Sequence, residues 1–171
     1  CHGSGTIAVK KTLEANVPAG IDDDQGFRLS GMGNAGTNGG PAGDVIVAVT
    51  VQPSEVFPAR MKNNIYVVFP ITYSQAVLGD TITVPSIDGK VEVNVPEGTQ
   101  SGTTFRLRGK GVQYVNGRGR GDMYVKCEVE IPKKLSRTQR EALKKFEGTL
   151  KEDNYEKRKG FFKKLKDMFN N

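Results

Sequence analysis

The residue types that most often carry chemistry are sparse in this chain. Its only histidine, His2, follows Cys1 in the opening run CHGSG. A thiolate followed by Gly-x-Gly is typical of a zinc knuckle, where glycines let backbone amides approach a metal-bound sulfur. One cysteine cannot complete a tetrahedral site. The sequence therefore predicts Cys1 to be an orphan zinc ligand and predicts no cofactor in this chain.

No catalytic constellation is present either. A single histidine leaves no Ser/His/Asp set, and Asp22, Asp23 and Asp24 form a cluster that we interpret as solvated acids of a turn. The run SGMGNAGTNGGPAG at 30–43 lacks the Gly-Lys-Ser/Thr of a phosphate-binding loop, and a strand-like segment follows it in place of a helix. We expect no enzyme, and a phosphate-binding enzyme is the least favoured alternative.

The net charge of +6 is concentrated at one end of the chain. Residues 133–171 carry 13 Lys or Arg and 6 Asp or Glu, whereas residues 1–132 carry 12 and 13. A solvated, lysine-rich helical tail is the favoured interpretation, and a nucleic-acid-binding β protein that uses this tail is the alternative. No run approaches the ~18 apolar residues of a membrane helix. We expect no membrane partner and no specific nucleic acid.

The strongest organising feature is an internal repeat. The run VPAGIDDDQGFRLSGMG at 17–33 recurs as VPEGTQSGTTFRLRGKG at 95–111, and Gly43-Asp44 recurs as Gly121-Asp122 at the same offset of 78 residues. A repeat in one register over this length indicates two copies of one structural unit. We expect a first β domain at 6–64, a second at 65–135 and a helical segment at 136–171.

The elements of both copies follow from apolar periodicity. A helical turn is predicted at 72–79, a helix begins after Ser136, and residues 53–63 are interpreted as a connection without strands. A two-residue hairpin is predicted at Asp88-Gly89, with positive φ at both positions. Strands are predicted at 6–18, 27–29, 45–51, 65–71, 81–87, 90–95 and 123–131. The fold class is mainly β, with two tandem barrel- or sandwich-like domains and short C-terminal helices. The first domain is expected to be incomplete at its N-terminus.

A face-by-face comparison of the last strand in each copy predicts where a binding site lies. One face is apolar in both copies. On the other face, Ile46 and Ala48 of copy one stand where copy two has Tyr124 and Lys126. An apolar face on both sides of a strand must be covered by more protein or left as a binding surface. Phe57 corresponds to Leu135 at the same offset of 78. Leu135 follows a lysine whereas Phe57 follows a valine, so copy one again carries more apolar surface.

An amphipathic stripe is predicted near the C-terminus. It can fold back on the second domain, or it can pair with the same stripe of a second chain, and we favour symmetric dimerisation. Its members are Phe161, Phe162, Leu165, Met168 and Phe169.

The sequence resembles a known family. The motifs that carry the resemblance are CHGSG at 1–5, VPAGIDDDQGFRLSGMGNAG at 17–36, GGPAGDVIV at 39–47, PITYSQAVLGDTITVPSIDGKVEVNVPEGTQSGTTFRLRGKG at 70–111 and GRGDMYV at 119–125. Together they are similar to the C-terminal, client-binding part of bacterial-type DnaJ (heat-shock protein 40) co-chaperones, the class with a cysteine-rich zinc region. Residues 1–5 correspond to the end of that region.

The resemblance implies a function. Extended, unfolded polypeptide would dock in a hydrophobic depression of the first β domain, partly as an added strand, and be delivered to a DnaK-type ATPase chaperone in the cytoplasm. The resemblance also implies a homodimer, zinc only in the full-length family, and no activation of the ATPase, since no His-Pro-Asp triplet occurs in the chain. With the face comparison, the client-binding residues are expected to be Leu13, Ala15, Ile46, Ala48 and Phe57.

Overall fold

The computed structural model describes residues 7–115 and 117–169. The chain divides into two compact units, Cys1–Glu130 and Ile131–Asn171. The first unit contains strands β1 Gly26–Leu29, β2 Val45–Ala48, β3 Ala59–Met61, β4 Asn64–Thr72, β5 Asp80–Ser86, β6 Gly89–Val95, β7 Thr104–Leu107 and β8 Met123–Glu130, with helix α1 at Tyr73–Leu78 between β4 and β5. The second unit contains helices α2 Arg137–Glu147 and α3 Glu156–Phe169. The chain is mainly β with short helices, which confirms the predicted fold class.

The second repeat forms a two-layer β structure. Its four-stranded sheet has the order β3-β4-β8-β7, in which β4 and β8 run parallel, and the β5–β6 hairpin forms a separate two-stranded sheet. Alternate residues of β4 and β8 form one buried cluster with apolar residues of the hairpin and Ala76 of α1. The buried residues are Ile65, Val67, Ile71, Ala76, Ile82, Val84, Val93, Val95, Met123, Val125 and Cys127. Within the described residues no sheet closes into a barrel, so the arrangement is sandwich-like.

The first repeat has the same strand pair without the second layer. β1 pairs with β2 with Gly26 opposite Ala48, and β7 pairs with β8 with Thr104 opposite Lys126. These are the same registers displaced by 78 residues. The loops that follow β1 and β7 are equivalent as well, because the Asp44 carboxylate accepts a hydrogen bond from the Gly31 N–H at 2.8 Å, as Asp122 does from Gly109 at 2.8 Å.

Three sequence predictions about strands are corrected. Residues 7–18 form no strand, and β2 ends at Ala48 although the predicted strand continued to residue 51. The residues of the first repeat that are equivalent to β6 are 11–17. The counterpart of β5 would fall at 2–8, most of which lies outside the described residues. The connection 53–63 does contain a strand, β3, which reverses into β4 at Lys62 with a φ of +56°.

The predicted hairpin exists but its turn is shifted by one residue. Ser86 pairs with Gly89, so Ile87 and Asp88 are the turn residues. Gly89 has positive φ and Asp88 does not. The predicted helix starts are confirmed, since the hydroxyls of Thr72 and Ser136 each accept from the backbone N–H three residues later, in complete capping boxes with Gln75 and Gln139.

Candidate functional site

The outer edge of β2 is an open strand edge. The Val49 N–H donates to the Gln25 carbonyl at 2.9 Å, and residues 25 and 49 are directly opposite in the β1–β2 register. Hydrogen-bonded and non-hydrogen-bonded pairs alternate along an antiparallel ladder. The backbone N–H and C=O groups of Ile46 and Ala48 therefore point away from β1. In the second repeat the equivalent residues of β8 pair with β4. Among the described residues, no strand pairs with this edge of β2.

The side chains at this edge are apolar on both faces. Ile46 is 69% exposed, and Ala48 is exposed on the same face of β2. The opposite face carries Val45 and Val47, which are only half-buried, whereas their counterparts Met123 and Val125 are fully buried. An exposed apolar strand with free backbone groups is a template for pairing with another chain.

The same face of the second repeat is occupied by its own side chains. Tyr124 of β8 stacks on Tyr66 of β4, with ring centroids 4.9 Å apart and planes within 9°. Lys126 follows on β8, and Val68 beside it on β4 is the exposed aliphatic residue of this face. Because β4 pairs along the whole length of β8, this repeat offers no open edge at the position of β2.

The other predicted site residues lie in different surroundings. Leu13 is half-buried and Ala15 is exposed, both in the segment without strand structure. Phe57 is half-buried and packs against the core cluster of the second repeat, and its N–H donates to the Ser54 hydroxyl at 3.2 Å. The structure thus brings Ile46 and Ala48 together on one face. The joint participation of all five residues in one site stays a prediction.

An arginine that the sequence reasoning missed holds the first repeat against the second. The Arg60 guanidinium on β3 donates to the Ile21 carbonyl at 3.1 Å and to the Gly20 carbonyl at 2.9 Å, and its Nε donates to the Lys62 carbonyl at 2.6 Å. A side chain on Gly20 would lie 1.9 Å from the Gln113 carbonyl oxygen. Arg60 was placed in a connection, and no local pattern indicates a bond across 39 residues.

The acids of the turn 22–24 have a structural role. The Asp23 carboxylate accepts from the Val51 N–H at 3.0 Å, where the second repeat uses the Ser101 hydroxyl to accept from Val129 at 3.1 Å. Asp22 lies 3.7 Å from the Arg60 guanidinium. Asp23 is an exposed acid of a turn, as predicted, and it also fixes the backbone at Val51 after the end of β2.

The Asp122 carboxylate is held by several hydrogen bonds at the start of β8. It accepts hydrogen bonds from the Gly109 N–H at 2.8 Å and from Arg106 Nε at 2.7 Å. These bonds, the backbone one first, lower the pKa of Asp122 below its ordinary value of 3.8, and the pKa of Arg106 is raised by the same pair. The pair ties β7 to the start of β8. These bonds fix the loop between the two strands.

The described residues contain neither a metal-binding cluster nor a membrane-spanning helix. No group of three or more His, Cys, Asp or Glu there could hold a metal ion, and no helix there is long and apolar enough to cross a membrane. Cys1, the predicted orphan zinc ligand, and His2 lie outside the described residues. Cys127 is a free thiol that is buried in the core cluster, and this burial raises its pKa.

The predicted dimerisation stripe lies on α3. Phe161, Met168 and Phe169 are 62–80% exposed, Phe162 is 48% exposed and Leu165 is half-buried. The Phe161 and Phe162 rings contact each other edge to face, with their centroids 5.7 Å apart. The Arg158 guanidinium carbon lies 5.8 Å from the centroid of the Phe162 ring.

Comparison with known proteins decides the family. Residues 6–132 match the model of the DnaJ C terminal domain. The chain belongs to this family. Residues 138–171 also match the Chaperone protein DnaJ C-terminal region, so the DnaJ assignment covers the helical unit as well as the β unit. The resemblance inferred from the repeated motifs is confirmed.

Several relatives of this DnaJ family chain are named chaperone protein DnaJ. That of Ruminiclostridium cellulolyticum is 49% identical over 159 residues, which cover 93% of this chain and 42% of the relative. That of Listeria monocytogenes is 49% identical over 169 residues, 99% of this chain and 45% of the relative. That of Clostridioides difficile is 50% identical over 159 residues. The chain spans less than half the length of the curated relatives it matches, and its homologues are chaperones.

Proposed function

We propose that this chain is the polypeptide-binding module of a DnaJ-type co-chaperone. It binds unfolded segments without catalysis and prevents their aggregation. In a full-length protein it would hand them to a DnaK-type ATPase chaperone in the cytoplasm, with zinc required only by the cysteine-rich region. The observation that carries the proposal is the open edge of β2 beside the exposed Ile46 and Ala48 side chains.

Binding at this edge takes the form of strand addition. An extended client pairs its backbone with the outward N–H and C=O groups of Ile46 and Ala48, which makes recognition indifferent to client sequence. The apolar side chains add a preference for apolar residues, which unfolded chains expose. Four outward backbone groups allow few hydrogen bonds of about 0.5–1.5 kcal/mol net each, so a single site binds weakly. Two sites in a dimer strengthen the binding of one client that spans both.

The side-chain contribution is tested by Ile46→Glu. The variant should lose most of its ability to suppress the aggregation of heat-denatured citrate synthase, because the charge would lie on the sheet face beside the apolar side chains of the docked strand. Val68→Glu is the matched control, since Val68 is an exposed aliphatic residue on the same face of the other repeat. Equal loss in both variants, or no loss in either, would contradict the proposed site.

The backbone contribution is tested by Ala48→Pro. Because the Ala48 N–H points away from β1, proline removes a client-binding donor and leaves the β1–β2 ladder intact. We expect a roughly two- to tenfold weaker affinity for an extended apolar peptide, measured by fluorescence anisotropy. Unchanged affinity with an unchanged circular dichroism spectrum would place the client elsewhere.

Dimerisation through the α3 stripe is proposed as the means of pairing two sites. A chain that ends at Gly160 lacks Phe161, Phe162, Leu165, Met168 and Phe169 and should sediment as a monomer, whereas the whole chain should dimerise. A dimer that persists after truncation would move the interface to another surface. The interface is expected to bury exposed phenylalanines, which gain about 25 cal/mol for each Å² removed from water.

A further inference from the structure

The helical unit contains a cavity with an unusual charge pattern. The cavity measures about 700 Å³ and lies between the C-terminal end of α2, the 3-10 turn Glu152–Asn154 and α3. Leu150, Tyr155 and Phe162 supply its apolar and aromatic lining. Its volume falls in the range of pockets that bind small molecules or short peptide segments.

Five cationic side chains surround this lining. They are Lys151, Arg158, Lys159, Lys163 and Lys166, against the two carboxylates Glu147 and Glu152. Among the described residues, Lys159 alone of the five has a carboxylate within ion-pair distance, namely that of Asp153. Arg158 lies over the Phe162 ring. Like charges gathered around one concave surface create a positive potential there that an anion would relieve.

We propose that this cavity binds an acidic peptide segment that also carries an apolar side chain. The apolar side chain rests on Leu150 and Tyr155, which lie outside the α3 stripe proposed for dimerisation, and the peptide carboxylates pair with Lys151, Lys163 and Lys166. A nucleic-acid strand suits the site less well, because Glu147 and Glu152 repel a continuous phosphate backbone and are suitable acceptors for peptide N–H groups. The acidic ligand is distinct in chemistry from the apolar clients proposed for β2.

The proposal is tested on the whole chain with a labelled probe peptide, acetyl-Glu-Glu-Leu-Glu-Glu-amide, by fluorescence anisotropy. Lys163→Glu should weaken binding at least tenfold. The matched control is Lys164→Glu, which makes the same charge change at the next position, where the side chain does not line the cavity. It should weaken binding less than threefold. A peptide with serine in place of leucine should bind more weakly, and one with lysine in place of glutamate should not bind.

Each alternative result overturns the proposal. Equal losses for Lys163→Glu and Lys164→Glu would show a general attraction to the basic helix. Tighter binding of an oligothymidylate than of the probe would indicate a nucleic-acid surface. Loss of probe binding as the chain dimerises would mean that a second copy fills the cavity. Absence of probe binding at millimolar concentration would also reject the site. Helical circular dichroism must be unchanged in both variants for the comparison to stand.

Discussion

The two repeats share a backbone design and differ in what covers it. Both pair a short strand with the strand that follows the glycine-rich loop, in one register, and both fix that loop with an aspartate that accepts a glycine N–H. The second repeat adds the parallel strand β4 and the β5–β6 hairpin, and Met123, Val125 and Cys127 on the inner face of its β8 are fully buried. In the first repeat the inner face stays half-buried and the edge of β2 stays open. The shared residues form the scaffold, and the differences create the surface proposed to bind clients.

The largest expected difference between the repeats is in core energetics. Val125 is fully buried, and Val47 at the equivalent position is only half-buried. Val125→Ala should lower the free energy of unfolding by about 2–3 kcal/mol through lost burial and a residual cavity, and Val47→Ala by about 1 kcal/mol or less. Urea denaturation followed by circular dichroism measures both. Equal losses would mean that the first repeat has a core as tight as the second.

The next largest effect concerns the turn that docks the first repeat. Gly20 and Gly98 are equivalent and both have positive φ, but a Cβ on Gly20 would meet the Gln113 carbonyl, whereas a Cβ on Gly98 would meet nothing within 4 Å. Gly98→Ala should cost about 1 kcal/mol from backbone strain alone. Gly20→Ala should cost about 2 kcal/mol, because the clash also separates the turn from the Arg60 guanidinium.

The control for this prediction is which segments lose protection from amide hydrogen exchange. Amide hydrogen exchange should rise at residues 20–25 and 113–115 in Gly20→Ala and stay unchanged there in Gly98→Ala. If Gly98→Ala opened the same segments, the docking contact would not be the cause.

These comparisons also show what the sequence could predict. Elements whose signal is local were found, such as the capping boxes at Thr72 and Ser136 and the alternating strands of the second repeat. The strand predicted at 6–18 is wrong for the described residues 7–18. Alternating apolar residues predict that one face of a strand is buried, but they do not supply the neighbouring strand with which it would pair. The Arg60 bonds were missed for a related reason, since they join segments about 40 residues apart. β3 forms a local hairpin with β4 and was missed because the two prolines of 53–63 break the strand pattern.

The candidate site was partly predictable on the same grounds. Ile46 and Ala48 could be found because the repeat allowed their face to be compared with Tyr124 and Lys126. Phe57 was assigned from the comparison of the two copies together with the family resemblance, and its packing against the second repeat's core is a tertiary contact that no pattern within one repeat contains.

A smaller effect is expected in the acid dependence of stability. The folded-state pKa of Asp122 lies below its ordinary value, so the unfolded chain binds more protons as the pH falls through 3.8. The stabilisation by Asp122 is fully present above pH ~5 and is lost as the pH falls toward the folded-state pKa. Asp122→Asn should therefore flatten the rise in stability between pH 2.5 and 5, measured by thermal unfolding. An unchanged slope would show that other carboxylates dominate.

The last difference between the repeats concerns how reactive a thiol would be at two equivalent positions, with almost no effect on stability. Cys127 is fully buried, and burial raises the pKa of its thiol, so little reactive thiolate forms and reagents cannot reach it. The equivalent residue of the first repeat, Val49, is only half-buried. In a chain with Cys1→Ser, a thiol introduced by Val49→Cys should react with iodoacetamide at least tenfold faster than Cys127, as followed by mass spectrometry. Both should react alike in 8 M urea, which controls for intrinsic reactivity. Equal protection in the folded chain would mean that the inner face of β2 is covered as completely as that of β8.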